Sequence, residues 1–265
     1  MDAEVYTQLK DSIKQTLKID LANYKDEQMK RRLDSWLVRT RLGTWKEYFS
    51  LIAADSLELE RFRNYLTINV TEFFRDPNRW ATLAQEVLPY LIKNAAESRQ
   101  PGNGLKLWSA GCSIGTEPYT IAIMMEENFP RQKYSLLASD LDRGALAKAR
   151  AGGPYLQDDI RNLSPQQRQK YISSLAPYHV NDSLKKHITF QEQDFFRDRF
   201  DTGFDLIVCR NVVIYFTAEA KDDLYARFHA ALRPGGVLFL GGTEIISTPS
   251  RFGFNNFGIS FYKKA

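Results

Sequence analysis

The chain has 265 residues and a formal net charge of +4 at pH 7, with 36 Lys and Arg against 32 Asp and Glu. This length fits two domains or one large domain with an appendage, and so mild a charge does not require a nucleic-acid partner. Without a long apolar run or a charged-then-apolar leader, we expect a cytoplasmic protein that does not insert into the membrane, and two cysteines and three histidines predict no metal site.

Residues 1–70 show only helical periodicity. Apolar residues recur every three or four positions in four stripes: Val5, Leu9, Ile13 and Leu17; Met29, Leu33, Trp36 and Leu37; Trp45, Tyr48, Phe49 and Ile52; and Leu59, Phe62 and Leu66. Thr44 and Glu47 have the spacing of a capping box at the third stripe. These patterns predict an N-terminal all-helical domain over residues 1–70.

The next segment, residues 71–103, is predicted to be a linker or lid. Around its start, the polar residues Asn69, Thr71 and Arg75 lie among apolar ones, including two adjacent phenylalanines that a plain linker would not need. The pattern favours a segment that folds back over a bound ligand. A simple packing segment between two domains is the alternative.

From residue 104 to residue 265, strands and helices alternate, which predicts an α/β, doubly wound, largely parallel sheet with helices on both faces. The predicted strands are Leu105–Trp108, Ser135–Ser139, His187–Gln191, Phe204–Cys209 and Gly236–Leu240, with helices over 118–128, 143–150 and 218–232 and an edge strand over Asn256–Tyr262. Residues 152–186 are too many for an ordinary connection and hold two strand-like stretches. We expect a small inserted subdomain there; a decorated surface loop is the alternative.

A glycine turn follows the first predicted strand. Gly111 and Gly115 lie between that strand and a helix that begins near Pro118, and the missing side chains allow backbone to approach a nucleotide-like ligand. The turn is not a P-loop, because it lacks the Lys-Ser/Thr ending. Gly111 is therefore a candidate cofactor-binding residue.

Polar residues follow the other strands, at the edge where doubly wound sheets bind ligands. Asp140 comes 29 residues after the first glycine of the turn, where a carboxylate can accept from both ribose hydroxyls; a helix N-cap is the alternative. Asp194 and Phe195 suit contacts with the amino group and the ring of an adenine. The alternative is that Asp194 is a polar loop residue and Phe195 a residue of the core. Arg210 and Asn211 end the fourth strand and can reach a ligand, with a surface turn as the alternative.

Five segments carry a resemblance to a known family. They are Ile68–Arg75 (INVTEFFR), Trp108–Tyr119 (WSAGCSIGTEPY), Ala138–Asp142 (ASDLD), Phe204–Phe216 (FDLIVCRNVVIYF) and Leu232–Glu244 (LRPGGVLFLGGTE). In this order and spacing they resemble the chemotaxis receptor methyltransferases, the CheR family. The resemblance implies an N-terminal helical domain, a Rossmann-like class I S-adenosylmethionine-dependent methyltransferase domain and a small β-subdomain inserted at about 152–186.

The resemblance also implies an activity. The family transfers a methyl group from S-adenosylmethionine to glutamate side chains of methyl-accepting chemotaxis receptors, giving γ-glutamyl methyl esters and S-adenosylhomocysteine. Its cofactor contacts fall on Asn69, Thr71, Arg75, Glu117, Asp140, Asp194, Phe195, Arg210 and Asn211, and its proposed reaction-centre residues on Arg75 and Tyr215. Two positions depart from the family: Thr116 stands where many relatives have a second acid, and Asp194 where the family often has Asn.

The helical domain carries a basic stretch. Between Lys25 and Lys46 there are seven basic residues and three acidic ones. Arg32 and Arg39 are seven apart and share a helix face, with Arg31 beside it. The family analogy is a basic helix that docks on the acidic methylation region of a receptor's cytoplasmic domain, so that a monomeric enzyme is recruited to membrane receptors. A solvated amphipathic face is the alternative.

Two other functions stay open at this point. A nucleic-acid methyltransferase would use the basic stretch, but the Asn/Asp-Pro-Pro-aromatic motif common in amino-methylating enzymes of this fold is absent after the fourth strand, where Arg210 begins Arg-Asn-Val-Val. We therefore expect no nucleic-acid partner. A non-catalytic, cofactor-sensing adaptor is disfavoured by Glu117 and Asp140 but not excluded. Neither the receptor nor the modified glutamates can be named from the sequence.

Overall fold

The computed structural model describes residues 1–67, 69–98 and 104–265, and the chain forms two compact units. The first comprises the residues before Asn69 together with Tyr215–Asp223, and the second comprises Asn69–Ile214 with Leu224–Ala265. None of the described helices is long and apolar enough to cross a membrane.

The first unit is built on four helices, α1 (Ala3–Leu17), α2 (Asp26–Thr40), α3 (Trp45–Ala54) and α4 (Ser56–Leu66). Three of them begin at a residue whose side chain accepts a hydrogen bond from an amide of the first turn, namely Asp2, Thr44 and Asp55. Such caps satisfy amides that have no partner within the helix. At α3 the predicted capping box of Thr44 and Glu47 is present.

The core of this unit is aromatic. Trp36 of α2, Tyr48 of α3 and Phe62 of α4 contact one another, with ring centroids 6.2, 5.6 and 5.2 Å apart in the three pairs. Tyr48 and Phe62 are fully buried. Because each ring comes from a different helix, the cluster holds three helices together.

The second unit is built on a seven-stranded sheet with the strand order β3-β2-β1-β4-β5-β7-β6. The strands are β1 (Leu105–Ala110), β2 (Tyr134–Asp140), β3 (Ile188–Glu192), β4 (Phe204–Cys209), β5 (Leu232–Leu240), β6 (Phe254–Gly258) and β7 (Phe261–Lys264). Strands β1 to β5 pair in parallel, and β7 runs antiparallel to both neighbours. The predicted parallel sheet is present, but β5 begins at Leu232 rather than Gly236, and the predicted edge strand is two strands, β6 and β7.

The remaining helices are α5 (Pro77–Thr82), α6 (Leu88–Ser98), α7 (Thr116–Asn128), α8 (Arg143–Ala151), α9 (Pro165–Tyr171) and α10 (Ala218–Ala231). Helices α7, α8 and α10 follow β1, β2 and β4, close to their predicted positions. The alternation of parallel strands with these helices brings the carboxyl ends of β2, β1 and β4 side by side.

The segment predicted to be a linker or lid contains helices that the sequence analysis missed. Helices α5 and α6 are joined by the π-helical turn Leu83–Val87. Trp80, Leu83 and Leu91 are buried in one apolar cluster with Leu107 and Leu206 of the sheet. The described residues of this segment are thus largely helical and packed on the sheet, whereas residues 99–103 lie outside the described part of the chain.

The inserted segment has less β structure than predicted. Within residues 152–186 there are α9, most of a 3-10 helix over Asp182–His187, and two isolated bridges that pair Tyr155 with Tyr178 and Ile172 with Val180. Of the strand-like stretch that begins at Tyr171, only Tyr171 belongs to α9, whose start is fixed by the capping box of Ser164 and Gln167, whereas Ile172 is extended and forms the bridge to Val180.

Candidate active site

The glycine turn lies against the ends of β2 and β4. The amides of Gly111 and Cys112 both donate to the Ser139 carbonyl, at 2.8 and 2.9 Å. Gly111 has φ +82°, and a Cβ built there would lie 2.6 Å from Cγ2 of Val212. Glycine is required at this position both by the backbone conformation and by the close approach of the segment that follows β4.

Asp140 is bound to the glycine turn at the end of β2. Its carboxylate accepts from the Ser113 amide at 2.7 Å and from the Asp142 amide at 2.9 Å. Burial is the main cause that raises the pKa of Asp140 to about 6. The N-cap of α8 is Asp142, which accepts from the Ala145 amide at 2.9 Å. The alternative reading of Asp140 as the helix cap is therefore excluded, and its half-buried carboxylate keeps acceptor capacity.

The residues before α5 are also attached to the glycine turn. Asn69 Nδ2 donates to Asp142 at 2.6 Å, and Ser113 Oγ donates to Asn69 Oδ1 at 2.8 Å. The hydroxyls of Thr71 and Thr116 share a hydrogen bond of 2.5 Å. Thr116, which departs from the family pattern, thus holds the segment of Asn69 and Thr71 on α7.

Glu117 is a buried carboxyl group in the first turn of α7. Ser109 Oγ of β1 donates to it at 2.7 Å. Burial is the main cause that raises the pKa of Glu117 to about 7, against the lowering effect of the positive charges of Arg210 and, to a smaller extent, Arg75. The structure therefore brings Glu117, Arg210 and Arg75 within electrostatic range of one another.

Arg210 is 6% exposed at the end of β4. Its Nη2 donates to Asp76 at 2.6 Å, and its guanidinium lies over the rings of Trp80 and Phe239, 5.1 and 5.0 Å from their centroids. Burial lowers its pKa. Within the described residues, the buried Nε of Arg210 has no hydrogen-bond partner. Arg75 Nη1 donates to the Val70 carbonyl at 2.8 Å, and this bond joins the two ends of the loop formed by residues 70–75.

Asn211 is held through its backbone. It has φ 60°, and its amide donates to Glu244 at 2.6 Å, while the amide of Val212 donates to the same carboxylate at 2.9 Å. The Gly241 amide also donates to Glu244, at 2.7 Å. One buried carboxylate therefore fixes the turn after β4 to the turn after β5. Left-handed backbone outside glycine, as at Asn211, commonly marks functional sites.

Asp194 and Phe195 follow β3, beside Asp140. The Gln193 amide donates to the Asp140 carbonyl at 2.9 Å, and Asp194 Oδ1 accepts from the Phe196 amide at 2.9 Å. The ring of Phe195 is 8% exposed and contacts Trp108, with centroids 6.3 Å apart. Its ring is thus part of the aromatic core, as in the alternative interpretation of this residue.

Tyr215 and the three docking candidates belong to the first unit. Arg31 and Arg39 are exposed. Arg32 is half-buried: its Nε donates to the Tyr65 carbonyl at 2.7 Å, and its guanidinium lies 4.2 Å from the Tyr65 ring centroid. Arg32 thus packs α2 against α4, and its docking role stays a prediction.

The chain matches two family models over most of its length. The model described as "CheR methyltransferase, all-alpha domain" matches residues 4–67, and the one described as "CheR methyltransferase, SAM binding domain" matches residues 69–259. The chain belongs to the CheR methyltransferase family.

Curated relatives agree with this assignment. A chemotaxis protein methyltransferase of Listeria monocytogenes is 41% identical over 253 residues, covering 95% of this chain and 94% of the relative. A protein of the same name from Listeria innocua matches with the same identity and coverage. A probable chemotaxis protein methyltransferase of Rhizobium etli is 33% identical, covering 88% of this chain and 89% of the relative. The protein is a class I S-adenosylmethionine-dependent methyltransferase.

The residues of this CheR-family site fit S-adenosylmethionine, which supplies a methyl group already activated on a sulfonium. The half-buried Asp140 carboxylate, bound to the glycine turn, suits hydroxyl donors. A buried Glu117 with a raised pKa is stabilised in its charged form by a cation. The unpartnered Nε of Arg210 is a donor for an anionic group.

The site residues that the sequence analysis missed include Ser109, Ser113, Asp142 and Glu244. Asp142 and Glu244 each end one of the segments quoted for the family resemblance, so a signal for them was present. Ser109 lies inside a strand, and its bond to Glu117 depends on the register between β1 and α7, which periodicity alone does not reveal.

Proposed function

We propose that this methyltransferase modifies glutamate side chains of methyl-accepting chemotaxis receptors and forms γ-glutamyl methyl esters. The observation that carries the proposal is the match of both CheR models, one to each unit, together with relatives named chemotaxis protein methyltransferase. A glutamate side chain with a pKa of about 4.3 is ionised at neutral pH and needs no general base. Orientation and exclusion of water therefore supply most of the catalysis.

In this proposal, ten residues hold the cofactor: Asn69, Thr71, Arg75, Gly111, Glu117, Asp140, Asp194, Phe195, Arg210 and Asn211. Asp140 accepts from the ribose hydroxyls, because it is bound to the glycine turn and keeps free lone pairs. Glu117 balances the cationic end of the cofactor. The contact at Asp194 is limited to accepting from the adenine amino group.

Arg75 and Tyr215 act at the reaction centre in this proposal. The planar guanidinium of Arg75 suits a carboxylate, to which it can donate two parallel hydrogen bonds. The Tyr215 hydroxyl orients either the sulfonium or the substrate oxygen. The substrate is the cytoplasmic domain of a receptor, and the enzyme acts on it from the cytoplasm as a monomer. Arg31 and Arg39 contribute to docking on its acidic methylation region.

The test is methyl transfer from labelled S-adenosylmethionine to a purified receptor signalling domain. We expect label that is released as methanol in alkali, as an ester requires, and glutamates that mass spectrometry identifies as modified. Arg75→Ala should lower kcat by about 10²-fold and Tyr215→Phe by about tenfold, since small misplacements of reacting groups have effects of this size.

Two results would contradict these assignments. Methylation of DNA or RNA in place of the receptor would indicate a nucleic-acid enzyme, and a steep salt dependence of binding would support that reading. Unchanged rates in Arg75→Ala and Tyr215→Phe would remove both residues from the reaction centre, while leaving the substrate class in place.

A further inference from the structure

A short segment after β4 is paired with the loop between α1 and α2, inside the first unit. The Lys25 amide donates to the Tyr215 carbonyl at 2.9 Å, and the Thr217 amide donates to the Asn23 carbonyl at 3.0 Å. Between these two bonds, Tyr24 and Phe216 form an antiparallel bridge, and their rings contact edge to face with centroids 5.2 Å apart. We call this pairing of residues 23–25 with residues 215–217 the tether.

The chain enters the tether directly from the site described above. Backbone amides of Asn211, Val212 and Ile214 donate to the carboxylate of Glu244. The next residue, Tyr215, belongs to the first unit. Within that unit, the Tyr215 carbonyl accepts the first bond of the tether, from the Lys25 amide.

The tether also determines where α10 begins. Thr217, whose amide is bound by Asn23, accepts through its Oγ1 from the Ala220 amide at 3.2 Å, in the first turn of α10. The alternative is therefore that the tether only anchors α10. A test has to distinguish this structural role from a role in catalysis.

We propose that the tether is a positioning device for catalysis: residues 23–25, through the Lys25 amide above all, set the location of Tyr215. This inference rests on the proposed function only for the role of Tyr215. It assigns the first unit a second task besides substrate docking, because Tyr215, a proposed reaction-centre residue, is paired with residue 25 inside that unit. Lys25 and Tyr24 are positioning residues, since neither touches the reacting atoms in this scheme.

The backbone conformation at residue 25 accepts proline, which breaks the key bond. Lys25 has φ −65°, the value that proline imposes, and Tyr24 has φ −100° and ψ 151°, the extended backbone that must precede proline. The carbonyl of Lys25 still accepts from the Met29 amide at 3.1 Å. Lys25→Pro therefore replaces the N–H that binds Tyr215 with a ring Cδ, which pushes the Tyr215 carbonyl away while the backbone at the start of α2 keeps its conformation. Lys25→Ala is the matched control, because it loses the same side chain but keeps the amide.

We expect Lys25→Pro to lower kcat for receptor methylation about tenfold relative to Lys25→Ala. Its affinity for S-adenosylhomocysteine and its KM for the receptor should stay within about twofold of the control, as expected for a change at the reacting atoms alone. Calorimetry with S-adenosylhomocysteine also shows that both variants are folded. A second pair tests the ring contact: Tyr24→Leu should lower kcat, and Tyr24→Phe should restore it.

Hydrogen exchange supplies a readout that does not depend on activity. The Thr217 amide should exchange faster in Lys25→Pro than in Lys25→Ala, because the pairing that protects it is weakened. Equal kcat in the two Lys25 variants, despite faster exchange, would reduce the tether to an anchor for α10 and overturn the proposal. A change in receptor KM alone would overturn it as well, in favour of docking. If the unaltered enzyme methylates no receptor, the proposed function fails. Equal exchange of the Thr217 amide in the two Lys25 variants would reject the tether by itself.

Discussion

At the scale of single residues, the site depends on two carboxyl groups, Asp140 and Glu117, whose pKa values are raised to about 6 and about 7, mainly by burial. Their surroundings differ. Asp140 accepts backbone hydrogen bonds from the glycine turn, which favour its charged form. Glu117 relies on the Ser109 hydroxyl and on the charge of Arg210. Without a bound cation, Glu117 is therefore only partly ionised at neutral pH.

Binding of S-adenosylmethionine should depend on pH through Glu117. A cation near this carboxyl lowers its pKa, so binding releases a proton and affinity increases as pH rises towards the free-protein pKa of about 7. Between about pH 6 and pH 8, we expect the affinity of the unaltered enzyme, divided by that of Glu117→Gln, to rise about tenfold. Calorimetry at a series of pH values measures this ratio.

Dividing by the affinity of Glu117→Gln cancels the pH dependence that comes from the cofactor's own ionisable groups. A flat ratio would show that the cofactor's positive charge does not contact Glu117. The cofactor-free protein gives an independent check of the sign: since the folded pKa is raised, the contribution of Glu117 to the free energy of unfolding should fall as pH rises from about 4.5 to about 7.

At the scale of elements, helix α2 divides its arginines between two tasks. Arg32 is bound to the Tyr65 carbonyl of α4, and the Tyr65 hydroxyl donates to the Arg32 carbonyl at 3.0 Å. Arg31 and Arg39 are exposed, although Arg39 also lies 5.2 Å from the Tyr65 ring centroid. One helix thus provides both a packing contact and the candidate docking charges.

Substitutions in α2 should separate these two tasks. Arg32→Ala should lower the free energy of unfolding by about 1–3 kcal/mol, because the Tyr65 carbonyl loses a charged donor. The double variant Arg31→Glu, Arg39→Glu should leave stability within about 0.5 kcal/mol but raise the receptor KM. Urea unfolding measures the first effect, and initial rates of methylation measure the second.

Each α2 variant serves as the control for the other, since both remove positive charge from the same helix. Affinity for S-adenosylmethionine should not change in the double variant. If that variant keeps the receptor KM of the unaltered enzyme, the exposed arginines form only a solvated surface.

At the scale of the whole molecule, the chain is divided so that the glycine turn and the carboxylates of the cofactor site lie in the second unit, while Tyr215 and the α2 arginines lie in the first. The chain passes from one unit to the other at three points: before Asn69, between Ile214 and Tyr215, and between Asp223 and Leu224. The second of these points is where the tether begins, so residues 215–223 belong to the first unit although they come from the middle of the second unit's sequence.

S-adenosylhomocysteine should protect the second unit selectively. At 100 times its Kd, a ligand that binds only folded protein stabilises it by about 2.7 kcal/mol. Hydrogen exchange should slow most at the glycine turn, from Gly111 to Gly115, and at Asn69–Arg75, because hydrogen bonds link these two segments. Protection of α1 to α4 equal to that of the glycine turn would contradict a cofactor site confined to the second unit.

Local patterns in the sequence were sufficient for much of this protein. The capping box at Thr44, the parallel strands and the glycine turn at Gly111 could all be predicted, because each depends on residues close together in the chain. Candidate site residues could be named for a different reason: they follow strands whose carboxyl ends meet at one edge of a doubly wound sheet.

Only the tertiary structure reveals the contacts between residues that are far apart in the chain. The commitment of Arg32 to Tyr65, the cap at Asp142 in place of Asp140, and the burial that raises the pKa of Glu117 all depend on which elements pack together. The tether is the clearest case: residues 23–25 carry no motif, and their function in the fold comes from backbone groups, which every sequence has. Such a bond is determined by the arrangement of the two segments in space, and not by the side chains that the sequence specifies.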